Sequence, residues 1–293
     1  MNKNTQFVVV GLGLLGGRYA MGLSGAGYRV AGIDTDPAAV QFALEKGYIQ
    51  TGCTEDFAPL LQQADRLIVC LYPTAFVQWA QKWGPLLKPG CILTDVSGVK
   101  EGVVQQVQAA LPEGVEFIAS HPMAGRERSG VQNSALVDFA PANFIITPTE
   151  KNTPGGIAFA RQLAEVLGFA HVCTLTPAEH DRMIGYVSQL AHAIAVSLMC
   201  ASDNGHLAEY TGDSFRDLTH IARINGPMWA ELFLWNRDNL IEEIDLFSSA
   251  LQQLKADLQA GDRAGLEEMF ALSTERRAAF DRQQESCPRQ QEG

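Results

Sequence analysis

A run of glycines directly behind a short apolar strand constrains this chain more than any other feature. Phe7-Val8-Val9-Val10 is apolar and β-branched, and it leads straight into Gly11-Leu12-Gly13-Leu14-Leu15-Gly16. Beyond the run, Tyr19, Leu23 and Ala26 recur at helical spacing, Gly25 and Gly27 close the helix, and a second strand from Tyr28 to Ile33 ends at Asp34. The pattern is a strand, a turn, a helix and a strand. Gly11 permits the tight turn, Gly13 lets the backbone approach a pyrophosphate, and Gly16 lets helix and strand pack closely. The phosphates then meet the helix N-terminus, where Leu14 and Leu15 stand. A lone glycine motif is weak, but the flanking strand and helix, and an acid eighteen residues after Gly16, supply the context it requires.

Asp34 refines the expectation. At the tip of the second strand its carboxylate can accept hydrogen bonds from an adenine ribose diol and would repel a 2′-phosphate. The expected cofactor is therefore NAD and not NADP, and neither Thr35 nor Asp36 is an arginine that would reverse this. A secretory leader built from Lys3 and the run Phe7 to Gly17 does not fit, because Arg18 interrupts it and no small-residue cleavage site follows.

The 293 residues suffice for two domains and a sizeable core, and 46% apolar with 19% charged residues suits a soluble globular protein. A net charge of −11 and a pI near 5.0 argue against nucleic-acid or anionic-membrane partners. A small anionic substrate stays open, given locally placed arginines. The six cysteines form no C-x-x-C pair and mostly lie in apolar runs, as buried thiols of a cytoplasmic protein would. No metal site is expected. The longest uninterrupted apolar stretch, Leu190 to Ala201, is short for a membrane span and contains His192.

Along the chain, helix-like segments (38–45, 55–63, 76–87, 102–111, 155–167) alternate with strand-like ones (66–71, 91–94, 117–120, 143–147, 171–174). The alternation predicts an α/β fold, a Rossmann-type doubly wound parallel sheet over residues 1–175, with ligands at the carboxyl ends of its strands. Tyr72 and Pro73 close one such end and are assigned to the cofactor. Two further ends carry polar groups, Asp95 to Lys100 and His121-Pro122-Met123-Ala124-Gly125-Arg126-Glu127-Arg128. An imidazole after a buried strand, beside arginines, suits acid–base work on an anion; a turn histidine bonded to local backbone is the alternative.

From Pro177 the composition changes, and an all-α domain is expected over residues 176–284, with a disordered tail at 285–293. A helix apolar on nearly all sides from Met183 to Cys200 reads as buried. On it, Asp181, Gly185, Ser188 and His192 are spaced 4, 3 and 4 and share a stripe that lines either a wet cavity or a structural hydrogen-bond network. A second long helix is expected from about Pro227 to Gln259. Its Leu240, Ile244, Phe247, Leu251, Leu254 and Leu258, at 4, 3, 4, 3, 4, form a heptad seam that packs within the domain or against a second subunit. Gly261 ends it, and Asp262 caps a last helix reaching about Arg282.

The order and spacing of these motifs resemble the prephenate/arogenate dehydrogenase family of tyrosine biosynthesis, from Val8 to about Asp245. The resemblance rests on the glycine run with Asp34, Asp95 to Lys100, His121 to Gly125, His180-Asp181, Ser188 to His192, and Phe215-Arg216-Asp217 with Ile221-Ala222. It implies oxidative decarboxylation of a cyclohexadienyl substrate, prephenate or arogenate, by NAD, in a homodimer joined through the C-terminal helices. It further implies His121 as the group that takes the substrate hydroxyl proton, with Ser97 and His192 as its catalytic partners. Gln189, Ser188, Arg216, His220 and Arg126 then bind substrate. Two departures stand out. The family serine is expected where Gly98 stands, and His220 occupies a position where an arginine commonly holds a substrate carboxylate. Two rival readings are a β-hydroxyacid dehydrogenase, whose helical-domain lysine could here only be Lys255, and a non-catalytic NAD sensor, which would have no reason to keep these groups together.

Overall fold

The structure, a computed structural model, describes residues 1–125 and 128–286. Strands β1 (Gln6–Val10), β2 (Arg29–Ile33), β3 (Thr51–Cys53), β4 (Arg66–Val69), β5 (Ile92–Asp95) and β6 (Glu116–Phe117) form one sheet in the order β3-β2-β1-β4-β5-β6. Every pair in it is parallel. The crossovers are α1 (Leu14–Gly25), α2 (Pro37–Glu45), α3 (Ala58–Gln63), α4 (Pro73–Trp83) and α5 (Glu101–Ala110). Helices on both faces explain why Phe7 to Val10 is apolar without alternation. Phe7 and Val9 join the core on one side of the sheet with Tyr19 and Leu23, while Val8 and Val10 join the other with Phe76 and Val103.

The expected single strand at 117–120 divides between two sheets. Phe117 pairs with Leu93, and Ile118 still donates its N–H to the Leu93 carbonyl. Strand β7 (Ala119–Pro122) then runs antiparallel to β8 (Asn143–Thr147), whose other neighbour is the parallel β9 (His171–Thr174), reached through α6 (Pro154–Leu167). The divergence is held by Asp95, whose Oδ1 accepts the Ser120 N–H at 2.9 Å while its backbone carbonyl accepts the Ser120 hydroxyl. Strand β3 is absent from the sequence-based expectation because Thr51-Gly52-Cys53 is three residues long with a glycine at its centre, and α3 starts three residues later than expected.

The C-terminal part holds α7 (Pro177–Ile184), a π-helical turn at Gly185–Leu190, α8 (Ala191–Cys200), α9 (Leu207–Tyr210), α10 (Asp213–Thr219), α11 (Gly226–Trp235), α12 (Arg237–Ala260) and α13 (Arg263–Ser286). Three expectations are corrected here. The helix expected from 227 to 259 is two helices, because Asn236 leaves helical geometry (φ −116°, ψ 27°) and spends its amide on the Asp181 carbonyl and Gln189 Oε1, each at 2.8 Å. The stretch Met183 to Cys200 is not buried, since Met183, Tyr186, Val187 and Met199 lie on the surface of the chain. Nor are most cysteines buried, because only Cys91 is so among the described residues.

The continuous helix Pro177–Cys200 is also longer and more apolar than the sequence stretch suggested, enough to cross a bilayer by those measures alone. Its buried His180, Asp181 and Gln189 bond instead to His121 of β7, to the start of α5 and to α11, respectively. The heptad seam of α12 turns outward, with Leu240 buried and Ile244, Phe247, Leu251 and Leu258 exposed. Helix α13 continues through Ser286, past the expected stop near Arg282, and the remaining tail residues 287–293 lie outside the described residues.

At the carboxyl end of β5 lies a fully buried ion pair, Lys100 Nζ to Asp95 Oδ2 at 2.7 Å. Burial raises the proton affinity of Asp95 and lowers that of Lys100, and each charge opposes the effect on the other. Lys100→Met would strand a buried carboxylate, and the expected cost is roughly 3–5 kcal/mol. Urea denaturation measures it, and a loss below about 1 kcal/mol would mean that the carboxylate does not depend on this partner.

Candidate active site

The glycine loop is shaped by contact on two sides and open on the third. Gly11 has φ +86°, and a Cβ there would lie 2.6 Å from the Cys70 carbonyl oxygen. One on Gly16 would lie 1.8 Å from the Gly11 carbonyl oxygen, whereas Gly13 meets nothing within 4 Å. Only the middle glycine therefore faces space that a ligand can approach. No side chain caps α1, so the first N–H groups at Leu14 and Leu15 stay available to an anion. Asp34 is fixed beside them, its Oδ2 accepting the Leu12 N–H at 2.6 Å and its Oδ1 the Asp36 N–H at 2.9 Å. Pro73 opens α4, and the exposed Tyr72 before it accepts a hydrogen bond from Asn225 at 3.3 Å. These residues suit a dinucleotide, with open backbone for the diphosphate and a carboxylate for the ribose.

His121 lies within β7, and not after it as the sequence suggested. Its Nδ1 is 2.9 Å from His180 Nε2, and His180 Nδ1 is 2.8 Å from Asp181 Oδ1. A carboxylate only accepts, so His180 donates from Nδ1, presents a lone pair at Nε2, and receives the proton on His121 Nδ1. The remaining nitrogen of a neutral His121, Nε2, then carries a lone pair. Part of the His121 surface stays accessible, while His180 is fully buried. Asp181 is anchored in turn by N–H groups at the start of α5, Lys100 to Oδ1 at 2.7 Å and Glu101 to Oδ2 at 2.8 Å. Burial raises the proton affinity of Asp181, and these two N–H groups and the Lys100 ammonium oppose it.

The other expected site residues divide. Ser97 is buried in the turn after β5, its N–H on Asp95 Oδ2 and its hydroxyl facing the Val99 N–H at 3.5 Å. Gly98 is the position that faces His121, since a Cβ there would lie 3.9 Å from His121 Cε1 and 3.5 Å from Leu232. His192 donates from Nδ1 to the Ser188 carbonyl at 2.9 Å, and its ring stacks on Trp229 at 3.7 Å between centroids. Trp229 meets His192, and Leu232, about one helical turn further on, faces Gly98. Gln189 is buried, donating to the Leu232 carbonyl at 3.1 Å, so its amide holds α11. Arg216 is exposed and paired with Asp213 at 2.6 Å, and His220 is exposed with Nδ1 on the Asp217 carbonyl. Arg126 lies outside the described residues, and Arg128 is exposed.

Sequence reasoning gave His180 no role in orienting His121, although His180-Asp181 stood out as a motif, because adjacency in sequence does not say which ring nitrogen meets which partner. Trp229, Leu232 and Asn236 carried no signal at all, being ordinary residues of an amphipathic helix.

A dinucleotide loop and an oriented imidazole, set where a doubly wound domain meets a helical one, define an NAD-linked dehydrogenase. Residues 20–181 match the family model for the prephenate dehydrogenase nucleotide-binding domain, and residues 176–272 that for the prephenate dehydrogenase dimerization domain. The chain belongs to the prephenate dehydrogenase family. It is 25% identical to prephenate dehydrogenase of Bacillus subtilis (strain 168) over 92% of this chain and 74% of the relative. It is 27% identical to cyclohexadienyl dehydrogenase of Zymomonas mobilis over 78% of this chain and 79% of the relative. The crystal structure of prephenate dehydrogenase from A. aeolicus, in complex with hydroxyphenyl propionate and NAD+, superposes with a TM-score of 0.84 at 27% identity, covering 94% of this chain and 98% of that one. The cofactor is NAD.

Burial first, then neighbouring charge, holds both histidines neutral. His121 is pushed well below its ordinary 6.5 by burial, His180 and Lys100, and His180 is pushed down to about 2 by burial and Lys100. In the unfolded chain both protonate near 6.5, so below that pH the unfolded state binds more protons and stability falls as the pH falls. Between pH 7 and pH 5.5 the expected loss is roughly 1 kcal/mol per histidine. Urea denaturation across that range should show it, with a shallower fall in His180→Asn; a flat wild-type profile would mean that neither ring is held neutral.

Proposed function

We propose that this chain catalyses the NAD-dependent oxidative decarboxylation of prephenate to 4-hydroxyphenylpyruvate, with His121 Nε2 as the base. The observation that carries the reading is the chain from Asp181 through His180 to His121, which leaves a lone pair on Nε2. That atom accepts the proton of the substrate's 4-hydroxyl as the carbon bearing it gives up hydride. NAD+, when bound, supplies the hydride acceptor. The C–O bond becomes a carbonyl, the bond to the ring carboxylate breaks, and its electrons pass through the ring to the oxygen as CO2 leaves. The phenolic oxygen recovers the proton from His121, so the products are 4-hydroxyphenylpyruvate, CO2 and NADH.

His192 is assigned to the substrate face, its ring plane set by Trp229 and its tautomer by the Ser188 carbonyl. With glycine at 98, no hydroxyl shares the substrate's 4-oxygen from that position; Ser97 has its hydroxyl toward its own turn. Arg126 and Arg128 are the cations proposed for the substrate carboxylates, because Arg216 already pairs with Asp213. A second reading, arogenate as substrate, is favoured by His220, which lacks the permanent planar charge of an arginine. The exposed Tyr186 and Val187 of the π-helical turn and the exposed apolar residues of α12, on a segment matching a dimerization domain, support a homodimer through these helices.

The test is the initial rate of NADH formation with prephenate and with arogenate, each offered NAD+ and NADP+. Prephenate with NAD+ should turn over, and His121→Asn should lower kcat by about 10²- to 10⁴-fold with NAD+ binding retained. Turnover of arogenate alone would move the assignment to the second reading, and a fully active His121→Asn would remove the proposed base.

A further inference from the structure

Ser134 lies outside every motif considered so far, yet it touches the cofactor loop from behind. It sits in the short helical turn Val131–Leu136 that packs on the start of α1, and it is fully buried. Its hydroxyl donates to the Leu14 carbonyl oxygen at 2.8 Å and stands 3.3 Å from that of Gly13. The fit depends on a fourth glycine. A Cβ at Gly17 would lie 2.1 Å from Ser134 Oγ and 2.8 Å from Val131. Glycine at 17 is what lets the serine reach. The same segment is tied to α1 again further on, where Arg18 Nε donates to the Val137 carbonyl at 2.8 Å.

The two carbonyls that Ser134 meets are not arbitrary. The Gly13 carbonyl shares its peptide unit with the Leu14 N–H, and the Leu14 carbonyl shares its unit with the Leu15 N–H. Those are the first donors of α1, which have no carbonyl of their own helix to bond. A donor on an amide oxygen polarises the N–H of the same unit and holds its plane. The serine thus acts on the groups that receive the diphosphate without touching the diphosphate.

We propose that Ser134 is a positioning residue for the cofactor pyrophosphate, working through the Gly13–Leu14 and Leu14–Leu15 peptide units. The inference rests on NAD binding at the glycine loop and is independent of which substrate is oxidised. Because Ser134 stands on the segment that follows the His121 strand, it also ties that segment to the cofactor loop.

The experiment is equilibrium binding of NAD+, ADP and adenosine to the full chain and to Ser134→Ala, by calorimetry for NAD+ and by displacement of NADH fluorescence for the others. Removing one hydrogen bond of this kind should weaken NAD+ and ADP about fivefold and leave adenosine, which has no phosphate, within about 1.5-fold. Gly17→Ala, whose methyl takes the space of the hydroxyl, should give the same pattern. The KM for NAD+ should rise in parallel with the dissociation constant while the KM for the cyclohexadienyl substrate holds. Wild-type NAD+ affinity in Ser134→Ala would overturn the proposal, as would an equal loss for adenosine. Should Ser134→Ala not fold, Ser134→Cys, a weak donor in similar space, carries the same comparison and the same two adverse outcomes. The binding arm needs no turnover, so its failure is separable from a failure of the proposed reaction.

Discussion

The carboxylate of Asp181 is the contact on which the site depends. It accepts the N–H groups of Lys100 and Glu101 from the nucleotide-binding part and the imidazole of His180 from the helical part. One buried anion therefore caps a helix of one domain and fixes a ring of the other. A charge removed from water is costly unless it is bonded on all sides, and these three donors, with the Lys100 ammonium nearby, meet that demand. The relative placement of the two parts and the orientation of the base are consequences of the same bonds. Asn236 extends the arrangement by bonding the Asp181 carbonyl and the Gln189 side chain, which ties the break between α11 and α12 to the π-helical turn. Such turns are frequent at functional sites because the inserted residue re-aims the side chains around it. Here the turn lies between Asp181 and His192.

Two hydrogen-bonding layers support the chemistry from behind. His180 and Asp181 decide which nitrogen of His121 can accept a proton, and Ser134 bears on the peptide units that face the cofactor. In both cases a buried polar group acts through an intermediate one, where solvent cannot compete and the bond is correspondingly strong. The glycine loop shows the complementary constraint. Gly11 and Gly16 are required by contact within the protein, Gly17 by contact with Ser134, and Gly13 alone by the space in front of it. A run that reads as one feature thus holds three steric requirements, at Gly11, Gly16 and Gly17, and one open position, at Gly13.

Tyr186, Val187, Leu246, Leu251 and Leu258 are too many and too large to be scattered surface residues, and they lie on helices of the segment that matches a dimerization domain. A helix that looks fully buried in sequence is half bare in the single chain, since the pattern of apolar residues does not distinguish a neighbour in the same chain from one in another.

The sequence by itself determined the local chemistry that period and spacing encode. The β-turn-α-β unit was legible because an apolar run, three glycines and Asp34 must all be satisfied within thirty residues. The alternation of strands and helices then implied the parallel sheet, and His121 stood out as a polar group at the edge of a buried strand. Tertiary structure alone decided the rest. Whether 117–120 was one strand or two turned on the Asp95 carboxylate, and whether 227–259 was one helix or two turned on an asparagine bonded to a residue 55 positions away. Gly98 faces His121 while the Ser97 hydroxyl turns toward the Val99 N–H, because a one-residue shift in a turn redirects a side chain. The bonds of His180 and Ser134 are long-range as well, at separations of 59 and 120 residues, and no periodicity records them. Local free energy writes itself into neighbouring residues; a hydrogen bond closed by the fold leaves each partner looking like any other serine, histidine or asparagine.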